Sequence, residues 1–352
     1  MMRSYGEVVL SGTILLGEDL EPFEGHLTFR NGVVAEIGTE EVASDLQGII
    51  APALVNAHVH LGDSFLKDPP YLPLRDLVGP GGLKHRALAS TPRREVVEGM
   101  RGSLLYMARS GTSAFADFRE GGADGVEMLL EAMEGTGIVG RIMGRPDPGS
   151  VHLHKDCWGI GISSTKDHPW SWVEEVVEAA RSEGKKVALH AGESDRDDIE
   201  EALSLSPDLL VHLTRAEPRD LRMVAEAGIP VVVCPRSNLV TGVGLPDVAK
   251  MLEMGITVGL GTDNVMLNSP NLFSEMEFLS KALVHNDRQV FMMCTLNGAQ
   301  ILGVEEVAGA IRVGKKGRII VIDRRSENMA GSKDPLASLV RRAAPSDVLA
   351  VI

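Results

Sequence analysis

Cysteine is scarce: Cys157, Cys234 and Cys294 are the only three in a chain of 352 residues. The number is odd and no CxxC pair occurs, which excludes a disulfide framework and fits a reducing cytoplasm. Aromatic residues make up only 4% of the sequence, so Leu, Val, Ile, Ala and 15 Met must fill the core. Long apolar runs are also missing. No stretch approaches the roughly 20 apolar residues that span a bilayer, and the N-terminal MMRSYGEVVLSGTILLGEDL has no apolar signal core. A soluble, unsecreted, cytoplasmic protein is expected. Positive charge is in deficit, with a formal net charge of −14. Such a field repels polyanions, which argues against nucleic acid and anionic membranes as partners. A small-molecule substrate, and a local basic pocket for it, remain allowed. Homo-oligomerisation is left open.

What is present is a globular composition, 44% hydrophobic and 24% charged. The first 50 residues read as short strands, with Arg30-Asn31-Gly32 as a tight turn. Apolar runs then alternate with amphipathic helical segments. The runs are Ile49–Ala57, Thr112–Phe118, Ile138–Gly144, Gly159–Ser163, Lys186–His190, Leu209–His212, Pro230–Cys234 and Thr257–Gly261. The helical segments include Arg93–Arg109, Val126–Glu134, Ser171–Glu183, Arg219–Glu226 and Asp247–Glu253. Eight runs with helical crossovers predict an α/β fold, a (β/α)8 TIM barrel over residues 51–311. The tail returns to strand-like text. Residues 1–50 and 312–352 are therefore expected to form a small β-sandwich domain. The connection 61–92, rich in Pro and Gly, is expected to be a lid or binding loop, or else disordered.

Active sites on such barrels form at the C-terminal ends of strands. The first run leads into Asn56-Ala57-His58-Val59-His60, whose alternation puts both imidazoles on one face. The fifth reads VALHAGE, giving His190 and Glu193. The sixth ends in His212, and the eighth leads to Asp263 in LGTDN. Imidazoles with one carboxylate suit zinc or ferrous iron with an open position for water. Glu193 would be a second carboxylate placed to carry protons. Taken alone, His212 could be a core histidine and Asp263 a turn former. A second HxH, His152-Leu153-His154, lies in a polar segment rather than at a strand end.

Pro52-Ala53-Leu54-Val55-Asn56-Ala57-His58-Val59-His60 resembles the first-strand signature of the amidohydrolase superfamily. HAGE at 190–193 resembles the His-x-x-Glu of its adenosine and cytosine deaminase branch. Cys234-Pro235-Arg236-Ser237-Asn238 and Leu260-Gly261-Thr262-Asp263-Asn264 are similar to the chlorohydrolase, guanine deaminase and S-adenosylhomocysteine deaminase group. Thr295-Leu296-Asn297-Gly298-Ala299 and Gly314-Lys315 resemble that group's return to the β domain.

The resemblance implies that His58, His60, His190 and Asp263 ligate one divalent metal, Zn2+ or Fe2+. It implies that Glu193 protonates a ring or amidine nitrogen, that His212 orients the nucleophile, and that Asp263 accepts the water proton. The superfamily's two-metal members carry a bridging lysine on the fourth strand. Here that strand reads GIGISS, and Lys166 lies beyond it. The sequence departs from the group in the 61–92 connection, which has no tryptophan, and in Asp117-Phe118-Arg119-Glu120-Gly121-Gly122 after the second strand. Arg119, Arg236 and Asn238 are the expected substrate contacts. The expected activity is hydrolytic deamination of a small nitrogen heterocycle: a purine, pyrimidine, pterin or nucleoside. Alternatives are hydrolysis of a cyclic amide, imine or carbon–halogen bond, or a non-catalytic metal-binding interaction protein.

Overall fold

The computed structural model of the chain describes residues 6–352. Residues 1–5 of the expected β domain lie outside the described residues. The chain divides into two compact units, Met1–Val55 with Met107–Ala114 and Asn271–Ile352, and Asn56–Tyr106 with Phe115–Pro270.

The first unit carries a six-stranded sheet. Its N-terminal strands are β1 (Glu7–Leu16), β2 (Glu21–Arg30), β3 (Val33–Gly38) and β4 (Leu46–Pro52). The C-terminal strands Ile319–Ile322 and Val348–Val351 complete the order Val348–Val351, Ile319–Ile322, β4, β1, β2, β3. Asn31 (φ 52°) and Gly32 (φ 80°) turn the chain between β2 and β3, as two left-handed residues in a tight hairpin should. Alternation along β1 buries Leu10 and Ile14 with Leu27, Phe29, Val34, Ile50, Ile319 and Val321 in one apolar cluster. Where a β sandwich was expected, the structure shows this single sheet.

The second sheet has nine strands: β5 (Leu54–His60), β6 (Thr112–Arg119), β7 (Val139–Gly144), β8 (Gly159–Ile162), β9 (Lys186–Ala191), β10 (Leu209–His212), β11 (Val231–Val233), β12 (Val258–Leu260) and β13 (Asp263–Asn264). Their order is β12, β11, β10, β9, β8, β7, β6, β5, β13. The two end strands are thus neighbours in sequence, separated by Gly261 and Thr262. Gly261 N donates to Val233 O at 3.0 Å, and Thr262 N donates to His58 O at 3.0 Å. The sheet curls until both of its ends meet on one short stretch of chain. The apolar run Ile49–Ala57, which looks like one strand in sequence, is shared between the two sheets and breaks at Ala53.

In the 61–92 connection lie α1 (Leu74–Val78) and α2 (Leu83–Ser90). The crossovers carry α3 (Arg93–Arg109), α4 (Gly122–Met133) and α5 (Trp170–Ser182). Helix α5 buries Val173, Val176, Val177 and Ala180, the three- and four-residue spacing of an amphipathic stripe. Among the described residues, no helix is long and apolar enough to cross a membrane.

Candidate active site

Strand ends bring the chemistry together. His58 and His60 alternate along β5, and their ring centres lie 4.9 Å apart. His190, near the end of β9, sits 4.9 Å from His58, and His212, at the end of β10, sits 5.3 Å from His190. The tautomers of two rings follow from their partners. His60 Nδ1 lies 3.0 Å from Phe118 O, and His190 Nδ1 lies 2.9 Å from Ile162 O. A carbonyl only accepts, so each Nδ1 carries the proton and each Nε2 presents a lone pair.

Those lone pairs converge. His190 Nε2 is 3.3 Å from His58 Nε2. Asp263 Oδ1 is 3.3 Å from His58 Nε2 and 3.4 Å from His60 Nε2. Ser237 Oγ donates to Asp263 Oδ2 at 2.5 Å, which leaves Oδ1 turned toward the imidazoles. Asp263 holds this pose at φ 56°, in the left-handed region. Three groups have ligand atoms within 4.8 Å of one another: His58, His190 and His212; His58, His60 and Asp263; and Glu193, His212 and Asp263. His58 Nδ1 and His212 Nε2 are buried and find no hydrogen-bond partner among the described residues. Electron-rich atoms gathered this tightly repel one another unless a proton or cation lies among them. Nitrogen and carboxylate donors of this kind suit zinc or ferrous iron, and the residues fit such an ion. His152 and His154 take no part in these groups.

The electrostatics favour the ligating forms. Burial drives the His58 imidazole down to about 3 and His190 well below its ordinary value, so both stay neutral. Burial pushes the Asp263 carboxyl up. The hydrogen bond with His58 and the surrounding imidazoles outweigh that push and hold it well below the carboxylate range. Glu193 behaves oppositely, because burial raises its pKa. Its Oε2 lies 3.7 Å from His212 Nε2. His212 is held at φ 79°, with the Asn238 amide 3.2 Å from its Nδ1.

These groups face a cavity of about 830 Å³. His60, His190, Glu193, His212 and Asp263 line one side, and Pro73, Leu74, Arg75, Val78 and Lys84 of the 61–92 connection line another. The expected substrate contacts fall elsewhere. Arg119 is 2% exposed; its Nη2 is 3.0 Å from Glu120 Oε2 and its Nη1 is 3.3 Å from Met100 Sδ. Arg236 Nη2 donates to Asn268 Oδ1 at 3.3 Å, and Asn238 is fully buried behind His212. None of the three lines the cavity. Lys84, Glu120 and Arg145 do. The strand-end rule applied to β7 points to Arg145, the residue immediately after that strand. No comparable signal marks Lys84.

The family model described as Amidohydrolase family matches residues 49–352. The chain belongs to this family, and so to the enzymes that hydrolyse carbon–nitrogen bonds. A protein of Methanothermobacter thermautotrophicus, provisionally named an aminohydrolase, is 34% identical over 98% of this chain and 97% of its own. The 5-methylthioadenosine/S-adenosylhomocysteine deaminase of Moorella thermoacetica is 28% identical over 99% of this chain and 89% of its own. An adenosine deaminase from Xanthomonas campestris, solved with bound zinc, shares the fold with a TM-score of 0.79 at 19% identity, covering 98% of this chain and 91% of that one. The zinc complex of atrazine chlorohydrolase from Arthrobacter aurescens has a TM-score of 0.79 at 18% identity, covering 98% and 93%.

Proposed function

We propose that the chain is a hydrolytic deaminase of small nitrogen heterocycles, such as a purine, pyrimidine, pterin or nucleoside, working with one divalent ion, Zn2+ or Fe2+. The observation that carries this reading is a carboxyl, Glu193, set beside His212 and Asp263 at the edge of a three-imidazole cluster. His58, His60, His190 and Asp263 would hold the ion. When bound, such an ion activates water for attack on an sp2 carbon. Asp263 is ionised and fixed by Ser237, so its Oδ1 can take the proton of the attacking water. Glu193 holds a proton more readily than an exposed glutamate and can deliver it to the ring nitrogen. His212, braced by Asn238, orients the water, and ammonia leaves.

The deaminase names of relatives that align along nearly the whole chain support the reaction class. Arg145 supports a substrate that carries acceptor or anionic groups. Its Nε donates to Gly161 O at 3.1 Å, and no carboxylate among the described residues pairs with it at ion-pair distance. The same reading takes residues 51–311 as a closed (β/α)8 barrel and residues 1–50 with 312–352 as a small β domain. The hydrogen bonds of Gly261 and Thr262 to the two flanking strands support closure.

The test is an ammonia-release screen of aminated heterocycles with Glu193→Gln as control. This variant should keep its metal and lose about 10²–10⁴-fold in turnover, the usual weight of a positioned proton carrier. Parental turnover in Glu193→Gln would refute the proton role. Absence of ammonia with every substrate that is consumed would refute deamination.

A further inference from the structure

We propose that Lys84 is a positioning residue of this site: from the 61–92 connection it holds Glu120 against His60. Helix α2 buries Lys84 to 2% exposure, while most of its other side chains stay partly or largely open. A lysine this deep persists only where its charge is paired, since removing an ammonium from water costs several kcal/mol. Lys84 Nζ lies 2.6 Å from Glu120 Oε1 and 3.8 Å from Asp63 Oδ2.

Glu120 reaches a candidate metal ligand directly, and Asp63 reaches the chain next to another. The Glu120 Oε1 that meets Lys84 also lies 3.3 Å from His60 Nδ1. Arg119 Nη2 holds the other oxygen, Oε2, at 3.0 Å. Glu120 is thus clamped between two cations with one edge on the His60 ring. Asp63 accepts from Asn264 Nδ2 at 2.7 Å and from Met266 N at 3.1 Å, on the stretch that follows Asp263. One ammonium therefore links Glu120, which meets His60, with Asp63, which holds the chain after Asp263. Glu120 thus shares the His60 Nδ1–H with Phe118 O, which lies at 3.0 Å; a carboxylate beside a ligating histidine's Nδ1–H fixes the ring and strengthens Nε2 as a donor, and losing such a partner commonly costs about 10–100-fold in metal affinity. The metal part of this inference rests on the proposed metal-dependent reading. The anchoring of the 61–92 connection by Lys84 does not.

The experiment compares the zinc-loaded parent with Lys84→Met, Lys84→Arg and the double variant Lys84→Met/Glu120→Gln. The first readout is zinc release to excess chelator, followed with a colorimetric zinc indicator. The second is the rate of proteolytic cutting within residues 61–92 of the metal-free protein. Lys84→Met should release zinc about 10–100-fold faster than the parent and be cut faster, with Lys84→Arg restoring both. A folded Lys84→Met that releases zinc at the parental rate overturns the proposal, as does a Lys84→Arg that restores neither readout. If Lys84→Met does not fold, the double variant, which does not leave Glu120 as a buried carboxylate stripped of Lys84, decides. Release at least 10-fold faster supports the positioning role, and parental release overturns it. A parent that takes up no zinc refutes the metal-dependent reading instead. The cutting rate then judges Lys84 alone, and cutting of Lys84→Met at the parental rate overturns its role.

Discussion

Single positions decide how the imidazoles are held. A Cβ on Gly261 would lie 2.7 Å from His58 O and 2.8 Å from His58 Cβ, both parts of a fully buried strand. Neither neighbour is the free end of a flexible side chain, so the strand itself must move. Overpacking of this kind costs roughly 1–3 kcal/mol. Gly261→Ala should lose about that much stability and also bind zinc less well, because the displaced residue is His58. Denaturant unfolding with a zinc titration checks this, and parental values in both would refute it. The site's histidines were legible because strand ends and alternation are encoded locally. Arg119 shows where that reading stops. The Phe118 ring packs 4.4 Å from His58 and so faces the cluster, which turns Arg119, one position on, to the other side of the strand. A Cβ on Gly62 would fall 1.7 Å from Arg119 Nη2, so the guanidinium occupies the space that this glycine leaves open. A pattern of residue types alone does not say which parity of β6 faces inward.

Among elements, the helical crossovers were readable from three- and four-residue apolar spacing. Helices α1 and α2 were not. They are 5 and 8 residues long, and the residue α2 buries is a lysine, so apolar periodicity carries no signal there. The division of Ile49–Ala57 between two sheets was hidden for a related reason: residues buried in either sheet are equally apolar. Another link between elements predicts pH dependence. Arg341 Nε donates to Asp287 Oδ1 at 2.8 Å, and Ser280 Oγ donates to the same oxygen at 2.7 Å. Burial pushes the Asp287 carboxyl up, but the hydrogen bonds from Arg341 and Ser280 and the charge of Arg341 bring it below its ordinary value. A depressed carboxyl stabilises the fold above its unfolded pKa, and that stability is lost as pH falls through the folded value. Arg341 is half exposed, so screening limits the contribution to about 1 kcal/mol. Asp287→Asn should therefore cost about this much at neutral pH and almost nothing in strong acid, by urea unfolding at both. An equal cost at both pH values would exclude the ion pair as its source.

At the scale of the whole molecule, the alternation of eight apolar runs with helices made the α/β class legible. The meeting of the sheet's two ends was not, because Gly261-Thr262 is too short to show any period. On the proposed metal-dependent reading, the histidine–aspartate cluster should give the chain a ligand-dependent stability. Four buried donors, two of them imidazoles kept neutral by burial and one a carboxylate kept ionised, come from strands far apart in sequence. The unfolded chain cannot hold them around one ion, so a metal held as proposed would bind the folded state selectively and stabilise it by mass action. At free zinc about 1,000-fold above Kd the gain is roughly 4 kcal/mol, which corresponds to several degrees in Tm for a chain of this size. Scanning calorimetry across a buffered zinc series should show Tm rising with the logarithm of free zinc. His190→Ala should flatten that dependence, because it removes a donor whose Nδ1 is already committed to Ile162 O. A parental Tm indifferent to chelator and zinc alike would mean that the cluster holds its charges by protons, and the metal-dependent reading would fall with it.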